Sequence, residues 1–293
     1  MIDAKSHSPK VLIVGCGDIG IATAAMLQAQ AYHVIGARRS VNKLPADLPA
    51  IAIDVTQPDT LSVLASHDWA AVIVTLTADQ FTEQGYQASY VNGLKNILAV
   101  LSQDSKRLPL ILFASSTSVY GQNDGSIVDE HSVTEPSGFS GEAMLRAEAL
   151  LSAYPGQTCA IRFGGIYGRG LGRMVKRLAD GFICPREPVI YSNRIHFEDC
   201  CRVFVHLIEA FSKSTVSDNK LAARYLAVDS QPSRQRDIME WLAKEQGIDI
   251  DKLQEGEATS RGGNKRCNNA ELLATGFDFK YPNYQAGFAP LLE

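Results

Sequence analysis

Val11-Leu12-Ile13-Val14-Gly15-Cys16-Gly17-Asp18-Ile19-Gly20 runs four apolar residues straight into three glycines at G-x-G-x-x-G spacing. The pattern reads as a buried strand, a tight turn and a helix. In such a turn the first glycine permits the sharp bend, the second lets a pyrophosphate approach the backbone, and the third lets helix and strand pack closely. The helix N-terminus then presents backbone N–H groups and the positive end of its dipole to the phosphate. Ile19, Ala22, Met26 and Ala29 recur at helical spacing and mark the predicted buried face of that helix. Gly15, Gly17, Asp18, Ile19 and Gly20 are therefore assigned to a dinucleotide.

A second strand, His33-Val34-Ile35-Gly36-Ala37, ends in Arg38-Arg39-Ser40. A site that reads the ribose 2′-OH of NAD uses an acid about 20 positions beyond the glycines, whereas arginine accommodates the 2′-phosphate of NADP. No Asp or Glu occurs between Asp18 and Asp47. Two guanidiniums stand in its place, and their forked donors suit phosphate. NADP is the expected cofactor, with NAD the alternative.

Ile51-Ala52-Ile53 reads as a third strand closed by Asp54-Val55, and residues 70–75 as a fourth ending in Thr75-Leu76-Thr77. These strand ends lie at the carboxyl edge where open α/β sheets bind ligands, so Asp54, Val55, Thr75, Leu76 and Thr77 join the cofactor set. Tyr90, Leu94, Ile97, Leu98 and Leu101 form one stripe on a long helix, read as core. Leu110-Ile111-Leu112-Phe113-Ala114 is a fifth strand that opens into Ser115-Ser116-Thr117-Ser118-Val119-Tyr120-Gly121. Hydroxyls clustered there are placed either to hydrogen-bond a substrate oxygen or to satisfy their own turn. Cys159-Ala160-Ile161-Arg162-Phe163 is a sixth strand, and the alternation implies a parallel, doubly wound Rossmann-type α/β sheet.

Past Gly168 the alternation weakens, with helices expected near residues 174–179 and 234–246 and a strand at 225–228. His196 reads as a structural hydrogen-bonder. The polar tail over 255–269, carrying Arg261, Lys265 and Arg266, reads as a surface loop, or as a basic loop for an anionic substrate. Residues 1–168 and 190–228 are assigned to the dinucleotide-binding domain, and 169–189 with 229–293 to a smaller C-terminal substrate lobe.

Composition bounds the function. The 293 residues are 45% hydrophobic and 20% charged, with a net charge of −4, so there is no basic footprint for nucleic acid. No apolar run approaches the roughly 18–20 residues of a membrane helix, and residues 1–10 carry no signal core; a cytoplasmic protein without a membrane partner is expected. Six scattered cysteines show no zinc spacing and read as reduced buried thiols, with no metal.

The ordered segments resemble the extended or atypical branch of the short-chain dehydrogenase/reductases, the NAD-dependent epimerase/dehydratase type. They are the G-C-G-D-I-G turn, Tyr90-Val91-Asn92-Gly93-Leu94-Lys95-Asn96-Ile97-Leu98, the Ser115–Gly121 hydroxyl segment, Arg162-Phe163-Gly164-Gly165-Ile166-Tyr167-Gly168, and Ile195-His196-Phe197-Glu198-Asp199. The resemblance implies a Rossmann fold, a nicotinamide dinucleotide, a small-molecule substrate that is often a nucleotide sugar, and a homodimer. It gives Ser116 the role of the hydroxyl that supports catalysis.

One departure is as informative as the match. The family's Tyr-x-x-x-Lys pair puts both side chains on one helix face, where the lysine lowers the tyrosine pKa. With Glu148 taken as the acid that ends that helix motif, Ser140 and Met144 stand at the two positions, and none of the ten tyrosines is followed four residues later by lysine. Substitute acids are sought among Ser116, Thr117, Tyr120, Glu142 and Arg146, with the first three assigned to catalysis. Three readings stand: an oxidoreductase or epimerase with a substituted acid, a non-catalytic NADP(H)-binding regulatory or redox-sensing module, and a structural protein with a relic pocket.

Overall fold

A computed structural model describes residues 8–66, 68–103, 108–170, 172–213, 221–257 and 262–292. The apolar runs form β1 (Lys10–Val14), β2 (His33–Arg38), β3 (Ala50–Ala52), β4 (Ala71–Val74), β5 (Leu110–Ser116), β6 (Thr158–Phe163) and β7 (Arg224–Ala227). They lie in one seven-stranded sheet in the order β7-β6-β5-β4-β1-β2-β3. The pairings β1–β2, β1–β4, β2–β3 and β4–β5 are parallel, as the Rossmann-type reading requires. Strand order reverses between β1 and β4, and the crevice beyond their carboxyl ends is where sheets of this kind take ligands.

The chain divides into two compact units: residues 1–115, 143–161 and 201–223 form the first, and residues 116–142, 162–200 and 224–293 the second. In the first unit Val11, Leu12, Ile13 and Val14 are fully buried, as expected of a parallel strand covered on both faces. The helix Asp18–Ala29 buries Gly20, Thr23, Ala24 and Leu27, one position around from the predicted Ile19, Ala22, Met26 and Ala29. The glycine sets this phase: a Cβ on Gly20 would lie 2.9 Å from Ile13 Cγ2 and 3.0 Å from Cys16 Sγ, so Gly20 must face the strand. The Tyr90 to Leu101 stripe is buried as expected, but its helix is interrupted by a π-helical stretch at Gln87–Asn92 before Gly93–Leu101.

The second unit carries short strand pairs that the sequence reading did not foresee. Gly165–Tyr167 pairs with Arg194–His196, and Ile127–Val128 with Arg266–Cys267. A core of Val175, Leu178, Ile238, Met239, Leu242 and Phe288 joins the helices Gly172–Ala179, Gln235–Glu245 and Tyr284–Leu292. Both carboxylate oxygens of Asp199 accept backbone N–H groups, from Lys280 at 3.0 Å and Tyr281 at 2.8 Å, which ties down the C-terminal segment. The predicted surface loop over 255–269 is corrected in part. Lys265 is buried, its Nζ donating to the carbonyls of Tyr120 and Gly262, and Arg266 donates through Nε to the Gly125 carbonyl. Neither is a free surface cation; Arg261 lies outside the described residues. All six cysteines are buried, and none is in a disulfide. Among the described residues no helix is long and apolar enough to cross a membrane.

Candidate functional site

In the first unit the three glycines do three different things. Gly15 has φ +76°, and a Cβ there would come within 2.7 Å of the Thr75 carbonyl oxygen, so only glycine lets the turn close onto the end of β4. Thr75 seals that approach by donating its hydroxyl to the Gly15 carbonyl at 3.2 Å. Around Gly17 the nearest atom to an added Cβ is the Gly15 carbonyl oxygen at 3.8 Å, which leaves open space beside the backbone. Gly17 is also the N-cap, and no side chain caps the helix there. Because the Ile21 N–H bonds the Gly17 carbonyl, the amides of Ile19 and Gly20 precede the helical ladder. An open backbone cradle at an uncapped helix N-terminus is the form a pyrophosphate requires.

A cavity of about 450 Å³ opens at this cradle. Of the predicted cofactor residues, Gly15, Gly17, Arg38, Arg39, Asp54, Val55, Leu76 and Thr77 line it, and Asp18, Ile19, Gly20 and Thr75 do not. Ser40, Lys43, Asp79 and Ser89 line it as well and were missed by sequence reasoning. Ser40 had a signal, since it follows the arginine pair directly, and Lys43 lies three residues beyond it. Asp79 had none, because only the fold returns it to Arg39.

The two arginines have different partners. Arg38 Nη1 donates to the Cys16 carbonyl at 3.1 Å, bracing the glycine turn from the end of β2. Arg39 forms a two-point pair with Asp79, Nη1 donating to Oδ2 at 2.7 Å and Nη2 to Oδ1. The Arg39 hydrogen bond holds the Asp79 carboxyl below the usual carboxylate range. Asp54 accepts from the Thr56 hydroxyl at 2.8 Å, and Asn96 donates to the Val55 carbonyl at 2.9 Å, fixing the loop after β3. Burial raises the Cys16 thiol to about 11, with Arg38 opposing, so it is a neutral buried thiol rather than a nucleophile.

Ser116 and Thr117 are half-buried, and Ser116 Oγ accepts from the Ser118 N–H at 3.1 Å, capping the turn at Thr117–Val119. Tyr120 is placed differently. It is 1% exposed, its hydroxyl donates to the Asp129 carbonyl at 2.7 Å and accepts from Arg162 Nη1 at 2.6 Å, and burial raises its pKa. Those bonds occupy the hydroxyl within the protein interior.

Ser140 and Met144 lie on one helix, Phe139–Leu151, with Met144 buried. Glu142 and Arg146 are exposed on it. A Cβ at Gly141 would meet the Ser118 carbonyl oxygen at 2.2 Å, so position 141 admits no side chain. Glu148, the acid that fixed the alignment, accepts a 2.6 Å hydrogen bond from Ser115.

The second unit contains a larger cleft of about 960 Å³. Arg169, Lys176, Arg177 and Arg194 line it, and among the described residues the one carboxylate on its wall is Asp180. Tyr167, Phe197 and Phe288 add aromatic faces. His196, beneath Gly168, accepts the Glu198 N–H on Nδ1 at 3.2 Å and stacks on Tyr281 at 3.8 Å between centroids, the structural part expected of it.

Residues 11–218 match the model of the NAD dependent epimerase/dehydratase family. A candidate NAD-dependent epimerase/dehydratase from Methylobacillus flagellatus superposes with a TM-score of 0.79 at 36% identity, covering 98% of each chain. Protein YeeZ of Escherichia coli strain K12 is 26% identical over 94% of this chain and 97% of its own. MoeE5, solved in complex with UDP-glucuronic acid and NAD, shares the fold at a TM-score of 0.74 and 19% identity, covering 97% of both chains.

Proposed function

The chain belongs to the NAD-dependent epimerase/dehydratase family, and from that premise we propose that it is an NAD(P)-linked oxidoreductase or epimerase, preferring NADP, that acts on a hydroxyl- or carbonyl-bearing small molecule without the tyrosine–lysine pair. The observation that carries the reading is the cavity at the glycine turn, whose wall holds Arg38, Ser40 and Lys43 beside an open backbone cradle. Gly15, Gly17 and the amides of Ile19 and Gly20 hold the pyrophosphate, while Asp54, Val55, Leu76 and Thr77 face the adenine and ribose side. Arg38 and Lys43 supply positive charge to a 2′-phosphate and Ser40 a hydroxyl donor. The bound nicotinamide supplies hydride transfer.

Among the chain's own groups, Ser116 and Thr117 serve to hydrogen-bond the reacting oxygen of the substrate. Tyr120 is given a structural part, because a buried hydroxyl already bonded to Asp129 and Arg162 has no proton to lend without breaking them. Nucleotide sugars are one substrate class within this reading, given UDP-glucuronic acid in MoeE5. A second reading, cofactor binding without turnover, is favoured by the buried Met144 and the closed position at Gly141, which leave no lysine site on that helix.

Absorbance of NADPH at saturation, followed while small carbonyl compounds are added, together with chromatography of nucleotide sugars incubated with the oxidised cofactor, separates the two. Turnover that falls roughly a hundredfold or more in Ser116→Ala supports the enzyme. Tight cofactor binding with no absorbance change and no isomerised product for any compound supports the binder, because an epimerase returns its hydride and leaves the cofactor absorbance unchanged.

A further inference from the structure

The cationic cleft of the second unit holds a guanidinium edge that the protein itself leaves without a proper acceptor. Arg194 Nε is buried with no hydrogen-bond partner among the described residues. On the same edge, Arg194 Nη2 donates to the thioether of Met174, at 3.1 Å, its one hydrogen-bond acceptor among the described residues. Sulfur of this kind is a weak acceptor, and methionine is an unbranched, easily displaced side chain. An Nε–H and an Nη–H side by side form the fork that two oxygens of one oxyanion accept in parallel.

The surroundings favour an anion. Arg169, Lys176 and Arg177 line the same cleft, opposed among its described lining residues by Asp180. The buried carboxyl of Asp229, which interacts electrostatically with Arg194, is pushed up to about 7 by desolvation, so near neutral pH it is only a partial counter-charge.

We propose that the Nε–Nη2 edge of Arg194 is the anchor for an acidic ligand of this cleft, a carboxylate or phosphoryl group that displaces the Met174 side chain and accepts both N–H bonds. Calling that ligand the substrate rests on the oxidoreductase or epimerase reading above; the binding itself does not. Met174 is the stand-in for the oxyanion: it shields the edge from water until a stronger acceptor arrives.

The test uses the full-length protein labelled at its methionine methyl groups, titrated with malonate and, separately, with inorganic pyrophosphate, in the absence of cofactor. The Met174 signal, assigned by its loss in Met174→Leu, is expected to shift saturably with at least one anion while those of Met144 and Met239 stay in place. Malonate alone marks a carboxylate, pyrophosphate alone a phosphoryl group. Arg194→Lys, which keeps the charge and loses the fork, is expected to weaken that anion roughly tenfold or more. Should Arg194→Lys not fold, the wild-type titration decides alone. A Met174 signal that does not saturate with either anion, or equal affinity in a folded Arg194→Lys protein, overturns the proposal. NADPH titrated into the same samples reports on the first unit's cavity, so loss of the cofactor reading and loss of the anion anchor are seen separately.

Discussion

Asp79 clasps Arg39 through both of its carboxylate oxygens, Arg39 Nη1 lying 2.7 Å from Oδ2, on the wall of the cavity at the glycine turn. The pair is exposed, with side-chain accessibilities of 55% and 64%. It adds little to folding, as exposed ion pairs do. Its consequence is for the proposed cofactor: the 2′-phosphate of NADP would compete with Asp79 for Arg39 and would also meet the negative charge of Asp79. Asp79→Asn is therefore expected to raise the preference for NADPH over NADH by roughly two- to fivefold, the worth of an exposed ion pair. Paired fluorescence titrations check this. A fall in NADPH affinity would show that Asp79 positions Arg39 for the cofactor instead of competing for it.

Tyr120 and Ser116 sit on one short segment and are predicted to separate stability from activity. Tyr120→Phe removes the acceptor of Arg162 and the donor to Asp129, leaving buried groups unsatisfied. A loss of about 1–3 kcal/mol in urea unfolding is expected. Ser116→Ala removes one bond, to the Ser118 N–H, at a half-buried turn, and is expected to cost about 0.5–1.5 kcal/mol. A Tyr120→Phe protein as stable as wild type but without turnover would reverse these assignments.

Asp229 gives a pH dependence with a definite sign. Desolvation raises its carboxyl from 3.8 to about 7 in the folded protein. Across that interval the folded state holds the proton and the unfolded state has released it, so folding is favoured at low pH. The contribution is complete below the unfolded value and is lost as pH rises through the folded one. Compared with Asp229→Asn, wild-type stability should fall by about 3 kcal/mol between the two values, other groups cancelling in the difference. Denaturant titrations of both proteins across that range measure it. A difference that grows in favour of wild type with rising pH would mean that Asp229 is an ionised partner of Arg194.

Local rules made the first half of the fold legible. Val11 to Gly20 announced strand, turn and helix because close packing at Gly20 and positive φ at Gly15 are demands that only particular residues meet. Even there the phase of the helix escaped by one position, since contact with Ile13 and Cys16, not helical periodicity alone, decides which face is inward. In the second unit the pairing of Arg266–Cys267 with Ile127–Val128 joins residues some 140 apart in the chain, and no local pattern announces it. Lys265 looked like a surface charge for the same reason. Its burial depends on the carbonyl of Tyr120, which sequence spacing does not bring to it. The lining of the cavity at the glycine turn was legible in part from its strand-end residues, whereas Asp79 reaches Arg39 only through tertiary structure.

The cavity at the glycine turn is proposed to take a nicotinamide dinucleotide and to read its 2′-phosphate through Arg38. Fluorescence titration of the wild-type protein and of Arg38→Ala with NADPH and NADH tests it most directly. The account predicts tighter binding of NADPH than NADH, with Arg38→Ala losing roughly tenfold or more of the NADPH affinity and much less of that for NADH. Tighter binding of NADH, or an Arg38→Ala protein that binds NADPH as wild type does, would contradict it.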